Sequence, residues 1–259
     1  MIDSCLRIAT LAENTVRQAI RSRLLYTLLF FGLVMIATSV AVSSLSYVER
    51  ERIVQDVGFA AIRIFGVGIA IFVGVGLIHD EIERRTLYTL LSKPVSRMEF
   101  IAGKYLGLLF TVWIQLAILS LAFVLVSLAV GAPVTASLFA ALGLIGAELM
   151  VVVAIATFFS SFTTPMLASL MSVGIFVAGR LSRDILQLGQ GSGDTGTAAA
   201  AEALYRVLPD LEAFDLTVQA VHGLPIADAD VLLPLAYGIA YSAVLVMAAA
   251  WVFERRDLR

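Results

Sequence analysis

Six apolar runs limit what this chain can fold into: Leu24–Leu45, Val57–Ile78, Phe100–Val130, Ser137–Phe159, Met166–Gly179 and Leu233–Phe253. A helix needs about 20 mostly apolar residues to cross the hydrocarbon of a bilayer, and five of the six runs meet that length. Met166–Gly179 is short; it is expected to begin at Pro165 and to run slightly past Gly179. The composition agrees, with 60% hydrophobic and only 15% charged residues and a mean hydropathy of +0.95; charged residues in soluble domains come nearer to a quarter. The expected fold is an all-α integral membrane protein of six transmembrane helices forming a single domain, residues 1–259. The first apolar run is longer than the core of a typical signal peptide, so no cleaved leader is expected.

Several function classes drop out. A net charge of -2 gives no global field for nucleic acid, and no nucleic-acid partner is expected. Cys5 is the only cysteine, which rules out an intrachain disulfide and makes a cysteine metal site untenable. His79 and His222 are expected at opposite membrane faces. No HExxH, GxSxG or Gly-x-x-x-x-Gly-Lys-Ser/Thr occurs, and QLGQGSGDTG (187–196) reads as a linker rather than a phosphate loop. No catalytic, cofactor-binding or metal-binding residue is therefore expected, and the chain is not expected to be an enzyme.

Orientation follows from the basic residues near the span ends. With six spans, Arg7, Arg17, Arg21 and Arg23, then Arg84, Arg85, Lys93, Arg97 and Lys104, then Arg255, Arg256 and Arg259 fall on one side. Arg50, Arg52, Arg63, Arg180, Arg183 and Arg206 are assigned to the other. Both termini are thus expected in the cytoplasm. Residues 1–23 read as an amphipathic interfacial helix, with Cys5, Ala9, Ala12, Val16 and Ile20 at helical spacing. In the second run Gly58, Gly66, Ala70 and Gly74 recur at multiples of four, a small-residue stripe that suits close packing within the subunit or a dimer seam. Residues 181–232 read as an extracytoplasmic cap of short helices near the membrane surface.

The stretch HDEIERRTLYTLLSKPVSRMEFIAGKYLG (79–107) interrupts this apolar chain with five basic and four acidic residues. Its first part reads as a surface helix with Leu87, Leu90 and Leu91 along an apolar edge and Glu81, Arg84 and Arg85 exposed. Pro94 disfavours helix at Lys93. Ser96 and Glu99 then fit a capping box ahead of the next apolar run. The segment, 79–99, is either a solvated loop that sets topology or a helix that engages a partner. Glu148 is the other outlier, a carboxylate near the middle of the fourth run. At that depth it must be protonated, paired or turned to a polar cavity. It reads either as part of a translocation path or gate, or as a neutral acid bonding a neighbouring serine or threonine. No second intramembrane acid is apparent.

DEIERRTLYTLLSKPVSRMEFIAGKYLG resembles the cytoplasmic loop of ABC transporter permeases of the type-2 (ABC-2) exporter family. IRSRLLYTLLF (20–30) is similar to that family's first span, and GAELMVVVAIATFFSSFTTPMLASL (146–170) resembles its fourth span, turn and fifth span. LYRVLPDLEAFDL (204–216) is similar to the subgroup that includes permeases for nitrous-oxide-reductase maturation and gliding, where an asparagine commonly replaces Asp210. The resemblance implies a homodimer of six-span subunits in the bacterial inner membrane. It implies separate ATPase subunits that hold ATP and Mg, with no cofactor on this chain. It places a coupling helix at about Glu81–Ser92, with Glu81, Arg84, Arg85, Thr86 and Leu90 as ATPase contacts, followed by the break at Pro94 and the cap at Ser96 and Glu99. Arg97 and Lys104 would brace that joint or meet lipid head groups. Further expected partners are membrane lipid and an extracytoplasmic accessory protein. The competing expectation is a membrane scaffold or maturation subunit that anchors a cytoplasmic partner without transport.

Overall fold

The computed structural model describes residues 2–44, 49–83, 96–191 and 194–255. Among these, the chain forms helices α1 (Ile2–Ile20), α2 (Arg23–Ser43), α3 (Arg50–Gly68), α4 (Gly74–Glu83), α5 (Arg97–Val130), α6 (Ala136–Ser160), α7 (Pro165–Arg180), α8 (Ser182–Gly191), α9 (Thr195–Val207), α10 (Thr217–His222) and α11 (Asp228–Arg255). Five stretches are long and apolar enough to cross a membrane: α2, Arg50–Leu77, α5, α6 and α11. The pair α7 and α8, bent by 55°, would make a sixth. The short fifth run is thus one limb of a broken helix. Pro165 starts it at the first turn, where a missing N–H costs nothing.

α3 and α4 are joined by a π turn, Ile69–Val73, so the second apolar run is one helix with a wide turn in it. Such turns are local departures from the regular ladder and recur at functional sites. The glycine stripe on this helix is consumed inside the subunit. A Cβ built on Gly58 would lie 2.2 Å from the Phe123 ring, and one on Gly66 would lie 2.9 Å from Leu149.

α6 is the most enclosed of the spanning candidates and α11 and α2 the most exposed. The core around α6 includes Phe59, Ile62, Phe123, Leu149 and Val153, all fully buried. Outward-facing large apolar residues such as Phe30, Leu121, Leu170 and Ile239 suit a surface against lipid, where apolar exposure carries no penalty.

The start of α1 and the end of α11 lie at the same end of the bundle, since Arg7 reaches Glu99 and Arg97 reaches the carbonyls of Phe253 and Glu254. This end is called the terminal end; α8–α10 occupy the opposite, cap end. α1 runs parallel to the start of α5. Leu11 meets Gly103 and Thr15 meets Gly107, each pair at the 92-residue offset of Arg7 and Glu99. The approach is backbone to backbone: a Cβ on Gly107 would sit 2.6 Å from the Ala12 carbonyl oxygen. The buried side of α1 is Leu11, Ala12, Thr15 and Ala19; Cys5, Ala9 and Ile20 of the predicted apolar stripe are exposed. The face in contact with protein is therefore rotated from that stripe, because Gly103 and Gly107 of α5 let the Leu11–Ala12–Thr15 side of α1 approach closest.

The segment after α9 departs from a surface cap. Leu211, Phe214, Leu216, Ala220 and Val221 are buried in the main core. The Phe214 ring packs on Gly238, where a Cβ would be 3.1 Å away. Leu211 N–H donates to the Gly179 carbonyl at 3.3 Å. The chain from Leu211 to Val221 is thus set into the bundle between α3, α6, α7 and α11, and only α8 and α9 form an outer hairpin.

Candidate functional site

Glu148 lies 12 residues from each end of α6 (Ala136–Ser160). Arg63 sits at nearly the same level, 13 residues from Arg50 and 14 from Leu77. Burial there forces each charge to find its opposite, because an ion stripped of water costs several kcal/mol unless compensated. Arg63 Nε donates to Glu148 Oε2 at 3.1 Å, and its Nη1 donates to Asp215 Oδ2 at 2.9 Å. Arg180, the last residue of α7, donates through Nη2 to the same Asp215 oxygen at 2.6 Å. Its Nη1 stands 3.8 Å from Glu148 Oε1. Two arginines and two carboxylates thus form a closed, formally neutral cluster.

The four groups come from four elements: α3, α6, α7 and the inserted segment. Asp215 is positioned by its own backbone, since its Oδ1 accepts from Thr217 N–H at 3.0 Å at the start of α10. Burial works against ionisation of Asp215. Arg63 beside it, with hydrogen bonds from Arg180, Thr217 and Arg63, nevertheless holds its carboxyl well below the ordinary carboxylate range. Glu148 is fully buried, and its Oε1 has no hydrogen bond. The cluster ties the inserted segment to α3, α6 and α7 at once.

Asp210 anchors the near side of the same segment. Arg183 donates to Oδ2 at 3.1 Å and 2.9 Å through Nε and Nη2. Oδ1 accepts from Ala213 N–H at 3.2 Å, and Asp210 N–H donates to Tyr237 Oη at 3.1 Å. An asparagine could make the cap but not the ion pair to Arg183. A cleft of about 620 Å³ opens here, with Arg183, Tyr205, Asp210, Asp215 and Tyr237 among its walls.

At the terminal end a second polar site surrounds the start of α5. Ser96 is the N-cap: its hydroxyl accepts from Glu99 N–H at 3.1 Å, and Glu99 Oε2 accepts from Ser96 N–H at 2.9 Å. Those bonds satisfy two of the donors that a helix start leaves open. Glu99 also accepts from Arg7 of α1 at 3.1 Å. Arg97 turns the other way and donates to the last carbonyls of α11, Phe253 at 3.0 Å and Glu254 at 2.8 Å. A cation there complements both the open carbonyls and the negative helix end. Lys104 is buried and donates to Gln18 of α1 at 3.2 Å. Beneath these contacts Leu11, Phe100, Ile101, Ala249, Ala250 and Phe253 form their own apolar cluster, with the Phe100 and Phe253 rings stacked at 5.9 Å. α5 is therefore gripped by α1 on one side and α11 on the other.

Of the residues singled out from sequence, Arg84, Arg85, Thr86, Leu90 and Pro94 lie outside the described residues, and Glu81 falls on the last turns of α4. Ser96 and Glu99 come together in the cap. Glu148 has arginine partners rather than the serine or threonine of a neutral-acid arrangement. The sequence reading missed Arg63, Arg180 and Asp215. Arg63 stands inside an apolar run, and a mid-span arginine is itself a signal that a carboxylate must be near. Asp215 carries no such signal, because it reaches the cluster on a segment that is not apolar enough to read as membrane-embedded.

The fold and these sites define a polytopic helical membrane protein, gripped at one end and latched by charge within. The chain belongs to the ABC-2 transporter family: the model for the ABC-2 family transporter protein matches residues 9–258. It is accordingly a membrane permease component of an ABC transporter. Permeases of this family do not themselves hydrolyse ATP, and they typically partner with an ABC ATPase. A search among curated proteins returns no match.

Proposed function

We propose that the chain is the membrane subunit of an ATP-driven exporter. It works as a homodimer in the bacterial inner membrane with both termini in the cytoplasm. It receives force from separate ATPase subunits through the Glu81–Ser92 segment. Glu81, Arg84, Arg85, Thr86 and Leu90 carry the docking contacts, and ATP and Mg reside on the ATPase. The similarity of LYRVLPDLEAFDL to the nitrous-oxide-reductase maturation and gliding-related permeases supports a place near that subgroup.

The observation that carries this reading is the construction around the segment. The chain enters it from the continuous α3–α4 helix and leaves it into α5, whose first turn is capped and clamped to both α1 and α11. α5 has 34 residues, about 51 Å at 1.5 Å per residue, so it outspans the hydrocarbon of about 30 Å. A push on the segment is thus delivered to rigid bodies. Through α4, the π turn and α3 it reaches Arg63, and hence the cluster with Glu148, Arg180 and Asp215. ATP can shift the equilibrium only by stabilising one arrangement over the other. In this account that means the ATPase pair holds α3 where the Arg63 contacts are strained, and the inserted segment shifts to open the path.

The test is co-purification. The double variant Arg84→Glu/Arg85→Glu is expected to insert in the membrane and melt like wild type, yet to recover the ATPase poorly and to lose stimulated ATP hydrolysis. Wild-type recovery and hydrolysis from that variant would sink the coupling assignment.

A further inference from the structure

The outer hairpin carries an exposed apolar side. Its two helices, α8 and α9, run antiparallel: a Cβ on Gly189 would lie 2.3 Å from that of Ala201, while Arg183 and Tyr205 share Asp210 Oδ2. Leu188 stands one residue before Gly189, and Leu204 and Val207 stand three and six after Ala201. At 3.6 residues per turn each of these offsets turns the side chain by about 60–120° in the same sense from the contact line. In an antiparallel pair that puts all three on one side. They are 75%, 50% and 77% exposed. The other side is polar: Arg183, Tyr205 and Arg206 border the cleft, and Glu202 pairs with Arg206.

The depth of the hairpin decides what meets the apolar side. On α11, Asp230 and Trp251 are exposed, and the Arg255 guanidinium lies over the Trp251 ring at 3.9 Å. Tryptophan and arginine gather at the membrane–water boundary. Asp230 and Trp251 are 21 residues apart, a rise of about 32 Å against a hydrocarbon thickness of about 30 Å. The hydrocarbon edge at the cap end therefore lies near Asp230. Asp230, Leu233 and Tyr237 share the walls of the cleft with Arg183 and Tyr205, so the base of the hairpin sits at that edge. The length of α7 agrees: its 16 residues rise about 24 Å, short of the hydrocarbon thickness, before α8 leaves at 55°.

The apolar side also continues a surface that suits lipid. Met166, Leu170 and Val177 of α7 and Leu181 at the bend are exposed. Their spacings of four, seven and four residues place them on one helix face, which leads through the bend into α8.

We propose that the α8–α9 hairpin is an in-plane membrane anchor, with Leu181, Leu188, Leu204 and Val207 set among the acyl chains of the leaflet at the cap end. Its partner is the lipid surface, and it is held as an amphipathic helix is held, apolar side down and polar side to water. The arginines flanking the bend, Arg180 and Arg183, hold Asp215 and Asp210, so the anchor fixes the inserted segment to the leaflet. This inference does not depend on the coupling assignment.

The test is the collision rate of spin labels with oxygen, which concentrates among acyl chains, and with a nickel chelate, which stays in water. Leu188→Cys, Leu204→Cys and Val207→Cys are each labelled in the full Cys5→Ser chain in vesicles of phosphatidylglycerol and phosphatidylcholine, with Glu202→Cys and Leu170→Cys as the water and lipid references. The oxygen-to-nickel ratio at positions 188, 204 and 207 is expected to exceed that at 202 several-fold and to approach that at 170. Leu188→Glu/Val207→Glu is expected to open the label at 204 to nickel while melting in detergent like wild type. Ratios at 188 and 207 equal to that at 202 would overturn the proposal, placing the hairpin in water. So would labels at 188 and 207 shielded from both reagents, which a covering protein or second copy would give, or a label at 204 unchanged in the double-glutamate variant.

Discussion

The charges at the terminal end and those around Glu148 do opposite jobs. Near Ser96 they are partly wet: Arg7 keeps about a third of its side chain exposed at the Glu99 contact. Solvent-exposed pairs of that kind add little to stability. What grips α5 there is apolar, the Phe100–Phe253 stack and the glycine seam against α1, and the charges set register and close helix ends. Around Glu148 the charges are the joint itself. Glu148 is fully buried and cannot lose Arg63 without being stranded, while Asp215 also borders the cleft. In the proposed mechanism the terminal end moves as one body and the cluster switches between arrangements. That is the pairing a transmitted conformational change requires.

Breaking the cluster should give the largest effect. Arg63→Leu leaves Glu148 and Asp215 short of a counter-charge and is expected to destabilise the chain by about 3–5 kcal/mol, read by thermal unfolding in detergent. Adding Glu148→Leu should restore part of that loss, and a strictly additive double variant would show that the two side chains do not act as a pair. Next comes Gly107→Leu, which drives a side chain into the α1 backbone; overpacking of this kind costs about 1–3 kcal/mol. Its signature is selective: limited proteolysis should release α1 while the rest resists. Ser96→Ala at the cap is smaller, about 1 kcal/mol, and should lower the melting temperature without exposing α1.

The smallest effect at working pH, but a diagnostic one, concerns protons. The folded-state pKa of Asp215 is depressed. Its stabilisation is therefore complete above the unfolded carboxylate value of about 3.9 and is lost as pH falls through the lower folded value. Thermal stability should be insensitive to Asp215 from neutral pH down to about pH 5 and should decline below about pH 4. Asp215→Asn should be less stable at neutral pH and should flatten that acid decline.

The helices were legible because hydropathy reports burial in lipid directly: five of the six expected runs are helices long and apolar enough to span, and the sixth appears as the bent α7–α8 pair. The cap at Ser96 was legible because it is local, four consecutive residues with a known hydrogen-bond pattern. Glu148 stood out by its cost. Its partners did not, for two different reasons. Arg63 counted as a topological charge although it lies within an apolar run. Asp215 is delivered by Leu211–Val221, whose insertion depends on Gly179 and Gly238 making room on two distant helices, and no local pattern records that. The rotation of the buried face of α1 was hidden in the same way, because it is set by Gly103 and Gly107 nearly a hundred residues away.

The central claim is that force at the Glu81–Ser92 segment reaches the cluster around Asp215. The direct measurement is the distance between spin labels on α3 and α10 in the complex with its ATPase. Ile64 and Val218 are both well exposed, and Cys5 is the only native cysteine, so Cys5→Ser/Ile64→Cys/Val218→Cys gives a clean pair. The account predicts a nucleotide-dependent change in that distance, which Arg84→Glu/Arg85→Glu abolishes. An unchanged distance on nucleotide binding in a complex that hydrolyses ATP would contradict it, as would a double variant that responds like wild type.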